Sequence, residues 1–342
     1  MTFDIPALDE GARREAREQI DGLVKPLGAL GRLEELAAWL CAAHGSVPPR
    51  PLDDVRVIVF AGDHGVSAAA VSAYPREVTA AMVRVFLSGT SGVNVLARQV
   101  GARVRVVDIA VDGDLAEVPD EVRAFKIRRG SGAIDVTDAL DRGEAERAFA
   151  AGRAIADEEI DAGADLLIPG DMGIGNTTVA AALVAAMLGL PVPEVVGTGT
   201  GVDEDGWARK IAVVQSALDR AGARVAEPFS LLTAIGSACA AATAGFLVQA
   251  AVRGVPVLLD GVFSGAAALV AREIAPEAAQ WWLAGHRSTE PSQAFALKAL
   301  GLEPILDLGL RLGEGSGAVQ AVPVLRGARA MLTEMGRLAD LA

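Results

Sequence analysis

Aromatic side chains are scarce in this chain: Trp, Tyr and Phe make up 4% of it, with a single Tyr. Hydrophobic residues still reach 51%, so a sizeable core has to be built from Ala, Val and Leu. Cysteine is nearly missing as well. Cys41 and Cys239 stand alone, which excludes a disulfide framework and fits a reduced, cytoplasmic setting. The three histidines, His44, His64 and His286, show no paired spacing, so no metal and no metal-bound cofactor is expected. Basic residues are in deficit, 31 against 44 acidic, for a net charge of −13. With no Lys/Arg cluster, that balance excludes a nucleic-acid surface. It also means that an anionic ligand needs a local source of positive potential. The N-terminus lacks a basic segment followed by an apolar one, so no signal peptide is expected. Pro228 to Val252 is uncharged and long enough to span a bilayer. It is mostly Ala, Gly, Ser, Thr and Cys, however, which predicts a buried helix and no membrane insertion. No repeat of 20–50 residues is present.

At 342 residues the chain suits one large domain or two ordinary ones. A helical pattern opens it, with Leu23, Leu30, Leu33, Leu36, Ala37 and Leu40 at mostly helical spacings. Pro48, Pro49 and Pro51 mark a break. Apolar, β-branched runs then alternate with helical stretches. Strands are expected at Val55 to Phe60, Val104 to Ala110, Asp165 to Pro169, Glu194 to Val196 and Val255 to Leu259. Helices are expected at about 77–99, 141–162, 177–189, 206–223, 231–252 and 264–272. Such alternation predicts an α/β fold: a Rossmann-like parallel sheet with helices on both faces. The uninterrupted apolar strands agree with burial on both faces. The stretch 289–342 returns to a mostly helical pattern. The expected division is a large α/β nucleotide-binding domain at 46-288, with 1-45 and 289-342 forming a small helical domain.

What the chain does have is glycine at the expected strand ends. Gly170 to Thr178 reads Gly-Asp-Met-Gly-Ile-Gly-Asn-Thr-Thr. It follows a strand and opens an alanine-rich helix, a setting in which backbone N–H groups and the helix dipole can hold a phosphate. Gly173 and Gly175 shape the turn, and Asn176, Thr177 and Thr178 can cap the helix or bond a ligand oxygen. A tight strand-to-helix turn without a ligand is the plainer reading. The turn is neither a P-loop nor a dinucleotide fingerprint, because the required residues and spacing are missing. Ligands of open parallel sheets sit beyond the carboxyl ends of the strands. Asp63-His64, Asp171 to Thr178, Gly197 to Gly201 and Asp260-Gly261 all fall there and would line one crevice.

Glu314 is a lone carboxylate between glycines in Arg311-Leu312-Gly313-Glu314-Gly315-Ser316-Gly317. Apolar surroundings would raise its pKa toward that of a useful base. The alternative is a surface turn capped by Ser316. Asp171 can orient a hydroxyl or a base, or act as an Asx-type turn residue. Lys210 can meet a phosphate as a point charge or sit on a solvated helix face. His64 can serve as acid, base or ligand. No Gly-x-Ser-x-Gly or Ser-His-Asp set is visible.

Taken together, the motifs resemble those of the nicotinate-nucleotide–dimethylbenzimidazole phosphoribosyltransferase family, over nearly the whole chain. The resemblance rests on Lys25-Pro26-Leu27-Gly28-Ala29-Leu30-Gly31-Arg32-Leu33-Glu34, then Ala61 to Val66 and Tyr74 to Thr79. It continues through Gly173 to Thr178, Pro256 to Gly261 and Arg311 to Gly317. It implies transfer of ribose 5-phosphate from nicotinate mononucleotide to 5,6-dimethylbenzimidazole, giving α-ribazole 5′-phosphate and nicotinate. No metal or organic cofactor is implied. Glu314 matches the family's catalytic base, and Asp171 is a second catalytic candidate. The phosphate and nucleotide would be held at Gly173, Gly175, Asn176, Thr177 and Thr178. Gly199, Gly201, Lys210, Asp260 and Gly261 would assist. Tyr74, Met82 and Leu312 are candidate walls of the azole pocket. A homodimer is implied too.

Three departures from the family pattern stand out. Asp171 stands where many members carry Glu. Ile235-Gly236-Ser237-Ala238 lacks an expected carboxylate. Near Met82 some members have a glutamine. The alternatives are a same-fold transferase for another azole or a phenolic acceptor, and a non-catalytic nucleotide-binding paralogue.

Overall fold

The computed structural model describes residues 2–341. Its centre is a six-stranded parallel sheet: β1 (Val55–Gly62), β2 (Arg103–Ala110), β3 (Leu166–Met172), β4 (Val257–Leu259), β5 (Trp282–His286) and β6 (Pro304–Leu306), in the order β2-β1-β3-β4-β5-β6. The chain runs outward from β1 to β2, then returns to β3 on the other side of β1. That reversal is the switch point at which such sheets open a crevice.

Side-chain alternation explains why both faces are covered. Along β1, Ile58 and Phe60 enter one core. Val55, Val57, Val59 and Ala61 enter the other. With period two, a strand that is apolar from Val57 to Ala61 must be buried on both sides, and only Arg56 near its start is half-buried. The first face carries helices Arg142–Asp161, Asn176–Leu188, Ala238–Val252 and Val262–Ile274. The second carries Arg32–His44, Val78–Leu87, Gly92–Gln99 and Val322–Glu334. Helix Glu10–Asp21 packs on Arg32–His44, and Val322–Glu334 packs on the same helix.

The alanine-rich composition permits very close helix packing. A Cβ at Gly152 would overlap the Ala242 carbonyl oxygen, and one at Gly245 would overlap that of Phe149. Helices Arg142–Asp161 and Ala238–Val252 therefore meet backbone to backbone. Gly152→Ala is expected to cost about 1–3 kcal/mol by overpacking. Urea unfolding reads this as a lower midpoint at an unchanged slope.

Several expected elements differ. Glu194 to Val196 is not a strand: helix Val192–Val195 occupies it, started by prolines at 191 and 193 that fix φ for a first turn. β5 falls where no strand is expected, and β6 lies in the stretch read as helical. Both are short, and β6 begins with proline at the sheet edge, where a missing N–H is tolerated. The uncharged stretch from Pro228 is two buried helices, Pro228–Ile235 and Ala238–Val252, separated by Gly236 and Ser237. Val78–Gln99 is long and apolar enough to cross a membrane by length and composition. It too is two helices, broken between Leu87 and Gly92.

Candidate active site

The carboxyl ends of β3, β4 and β5 open into a cavity that is partly open to solvent. Asp171, at the end of β3, lines it together with Asn176 and Thr177 from the turn that follows. Asn176 Nδ2 donates to Asp171 Oδ2 at 2.7 Å, and Asp171 Oδ1 has no partner among the described residues. The rest of the turn is packed behind this wall. A Cβ at Gly173 would overlap the Gly62 carbonyl oxygen and lie 2.8 Å from His64 Nε2. Gly175 has φ 96°, and Thr178 is fully buried.

The turn's N–H groups are largely engaged. Ile174 donates to Thr79 Oγ1 at 3.2 Å, Thr177 to Asn176 Oδ1 at 2.7 Å and Asn176 to the Gly173 carbonyl at 3.1 Å. The open N–H cradle expected across Gly173–Thr178 is therefore closed at Ile174, Asn176 and Thr177, and the turn meets the cavity through Asn176 and Thr177. Close packing against β1 is the physical reason for the glycines before it.

Gly199, Thr200, Glu290 and Arg311 form the facing wall. Gly199 (φ 55°) comes so close that a Cβ there would lie 2.8 Å from both Lys210 Nζ and Thr177 Oγ1. Gly201 (φ 96°) lies beside Arg311. Lys210 is not on a solvated face. It is fully buried and donates to Thr177 Oγ1 at 3.0 Å. Burial lowers its pKa, and the Glu290 charge opposes that shift.

Asp260 and Gly261, after β4, complete the cavity beside His286. Asp260 Oδ2 accepts from the Gly315 N–H, and Oδ1 accepts from those of Gly317 and Ala318, each at 3.0 Å. His286 Nε2 sits 3.3 Å from Oδ1, at ion-pair distance but not aligned as a hydrogen bond. Burial pushes the Asp260 carboxyl up, but His286 and the backbone N–H groups win and hold it below its ordinary value. Asp260 thus anchors the segment that carries Glu314.

That segment is strained and seated by glycines. Gly313, Glu314 and Gly315 all have positive φ, at 79°, 66° and 91°. For a glutamate this region is uncommon and persists only when its surroundings enforce it. A Cβ at Gly170 would overlap the Glu314 carbonyl oxygen, and one at Gly285 would lie 2.6 Å from the Ala318 Cα. The side chain of Glu314 is buried, and Oε2 accepts from the Val93 N–H at 3.1 Å, near the start of helix Gly92–Gln99. Burial raises its pKa, the Val93 N–H lowers it, and the Asp260 charge adds to the rise. The plainer reading of a surface turn therefore does not fit.

Arg311, Leu312 and Gly313 line the cavity, and Glu314 lies just beyond them. Leu312 is exposed and reaches toward Gly92. Tyr74 is exposed and Met82 half-buried, and neither lines the cavity. His64 is buried, its ring tilted by 58° against the Phe263 ring at 5.9 Å, with both ring nitrogens unpartnered among the described residues. Burial lowers its pKa to about 4.

His286, Glu290 and Arg311 carry much of the site's charge; Arg311 opens the Arg311–Gly317 motif, but no motif in the sequence marks His286 or Glu290. His286 and Glu290 follow β5, the strand outside the expected set. A strand assigned to Trp282–His286 would have placed both at its carboxyl end.

Asp171 has the largest shift at the site. Burial raises its pKa to about 8, against Asn176 and with Asp260. The unfolded chain releases this proton near 3.8 and the folded chain near 8. Between those values the folded state binds more protons, so this group's contribution to stability is lost as pH rises. Asp171→Asn is expected to gain on the wild type by on the order of a few kcal/mol across that window. Urea unfolding at pH 5 and pH 8.5 measures the difference.

Comparison with known proteins gives one answer. A sequence model described as phosphoribosyltransferase matches residues 5–341. The nicotinate-nucleotide–dimethylbenzimidazole phosphoribosyltransferase of Mycobacterium avium (strain 104) is 57% identical over 332 residues, 97% of this chain and 95% of that protein. The protein of the same name from Mycobacterium tuberculosis is 54% identical over 332 residues, 97% of this chain and 91% of that one. Among solved structures, that of CobT from Thermus thermophilus superposes with a TM-score of 0.92 at 44% identity, covering 97% of this chain and 98% of the other.

Proposed function

This chain belongs to the nicotinate-nucleotide–dimethylbenzimidazole phosphoribosyltransferase family, and on that premise we propose how its cavity performs the transfer. The enzyme moves ribose 5-phosphate from nicotinate mononucleotide to 5,6-dimethylbenzimidazole, giving α-ribazole 5′-phosphate and nicotinate. The observation that carries the residue assignment is the buried, left-handed Glu314 held beside the cavity by Asp260 and the Val93 N–H.

The azole attacks the anomeric carbon through its bare ring nitrogen. The bond from that carbon to the pyridinium nitrogen breaks, and its electron pair leaves on nicotinate as a neutral ring nitrogen. No general acid is required. Alkylation makes the azole's other N–H acidic, and Glu314 takes that proton. Burial suits Glu314 to the task by making its carboxylate more basic than an exposed one. Lys210 and Thr177 hold the 5′-phosphate, with Asn176, Gly199 and the helix N-terminus beside them. A chain of net charge −13 thereby gains local positive potential. Asp171 presents Oδ1 to the substrate. The remaining work is to hold two planar rings on opposite faces of the ribose. The anomeric configuration of the product, read from its NMR proton coupling, tests this arrangement: the α form is expected, and the β form contradicts attack from the opposite face.

Three further readings belong to the proposal. A cytoplasmic location is supported by the two free, buried cysteines, Cys41 and Cys239. A homodimer is supported by exposed Val24, Leu27 and Leu338, which flank the bridge between Leu23 and Arg337. Light scattering at micromolar concentration tests it. The division into units 46-288 and 1-45 with 289-342 is supported by the mutual packing of the terminal helices, and limited proteolysis tests that division.

A further inference from the structure

Glu290 is a buried carboxylate that the transfer chemistry leaves without a task. It lines the cavity at 5% exposure, and its Oε1 accepts from the Gly199 N–H at 2.8 Å. The chain opposite has been cleared for it: a Cβ at Gly197 would lie 2.5 Å from Glu290 Oε2. Gly199 is held from three sides. Glu290 takes its N–H, Arg311 Nη1 donates to its carbonyl at 2.7 Å, and Lys210 Nζ and Thr177 Oγ1 lie against its α-carbon. One consequence is that the Gly199 N–H is already committed and does not face a phosphate. The carboxylate therefore does something other than bind the anion, which it would repel.

We infer that Glu290 is the positioning residue of the phosphate site, clamping the Gly197–Gly201 loop onto Lys210 and keeping the Lys210 ammonium charged before the nucleotide arrives. The inference rests on the assignment of Lys210 to the 5′-phosphate. A buried ammonium tends to lose its proton, and burial does depress Lys210. The charged and titratable groups around it can be named. Arg311 lies across the loop, and Asp171, Asp260 and His286 line the cavity, with Lys210 buried behind Thr177 and Gly199 in its wall. Glu204, Asp205 and Arg209 share its helix, and Glu194 lies on the short helix packed against that one. Among these, Glu290 supplies the field that raises the Lys210 pKa.

Two variants separate the carboxylate's charge from its reach. Glu290→Gln keeps an oxygen for the Gly199 N–H and removes the charge. Glu290→Asp keeps the charge and draws the oxygen back by one methylene. With nicotinate mononucleotide as the varied substrate, the alkaline limb of kcat/KM reports the Lys210 proton. In Glu290→Gln that limb is expected to move down by roughly half a pH unit or more, and KM to rise roughly 10-fold. In Glu290→Asp the limb stays in place while KM rises. Equilibrium binding of 5,6-dimethylbenzimidazole is expected to hold steady in both.

An unmoved limb in Glu290→Gln overturns the inference, as does an equal fall in azole binding, which marks a general structural defect. If Glu290→Gln does not fold, Glu290→Asp decides: wild-type KM, or a limb shifted despite the retained charge, overturns it. Lys210→Met is measured beside them. Unchanged nucleotide KM in that variant shows that the phosphate assignment itself has failed. A raised KM there with wild-type behaviour at Glu290 shows that only the present inference has failed.

Discussion

Replacing Glu314 with Gln is expected to lower turnover by roughly 10²- to 10⁴-fold, the usual contribution of a positioned general base. The amide is nearly isosteric and can still accept from the Val93 N–H, so the strained Gly313–Gly315 backbone should persist. What it cannot do is take the azole proton. The loss should therefore appear in kcat, with KM for nicotinate mononucleotide nearly unchanged. The pH dependence gives an independent reading. A base works only when deprotonated, and burial and Asp260 raise the Glu314 pKa above 4.5. The acid limb of the wild-type profile should lie above the ordinary carboxylate range. In the variant the limb due to Glu314 should vanish. Steady-state kinetics of both proteins across the acid and alkaline limbs measures this, and a fall of less than about 10-fold would remove Glu314 from the base role.

Lys210→Met is expected to raise KM for nicotinate mononucleotide by roughly 10- to 10²-fold, the equivalent of one charge-assisted hydrogen bond. Methionine fills similar volume but offers no donor. Lys210 is fully buried and touches Thr177, so its ammonium has little water to replace and acts in a low-dielectric setting. Affinity for 5,6-dimethylbenzimidazole should not change, because the azole meets the ribose from the opposite side. Some stability should be lost as well, since Thr177 Oγ1 loses its donor and the buried Glu290 loses a nearby opposite charge. Isothermal titration with each substrate, and thermal unfolding, separate the two effects. Equal loss of azole and nucleotide binding would point to a collapsed cavity.

Much of this is legible in the chain. Strand-helix alternation with long apolar runs specifies a doubly covered parallel sheet, because only burial on both faces accommodates Val57 to Ala61. The glycine-bearing segments after β3 and β4 mark the crevice, while Gly197–Gly201 reaches it after a helix and not a strand. Glu314 between glycines stands out as a candidate base, with a surface turn capped by Ser316 left open until its burial is seen. What stays hidden has identifiable causes. β5 reads Trp282-Leu283-Ala284-Gly285-His286, five residues with a glycine where helix Ser316–Val319 presses on it. That glycine disguises the strand, and with the strand His286 and Glu290 are missed. The turn at Gly173 looks like a bare N–H cradle from its spacing alone. Its glycines are required by the approach of Gly62 and His64, a long-range contact that local spacing does not encode. Lys210 looks like any helical lysine, because burial of a charge beside Glu290 is a tertiary fact.

The central claim is a coupled transfer at one cavity. The most direct measurement mixes purified protein with nicotinate mononucleotide and 5,6-dimethylbenzimidazole and follows nicotinate and α-ribazole 5′-phosphate together. The account expects both products in equal amounts, each dependent on both substrates. Nicotinate release without the azole nucleotide, or no turnover of either substrate, would contradict it.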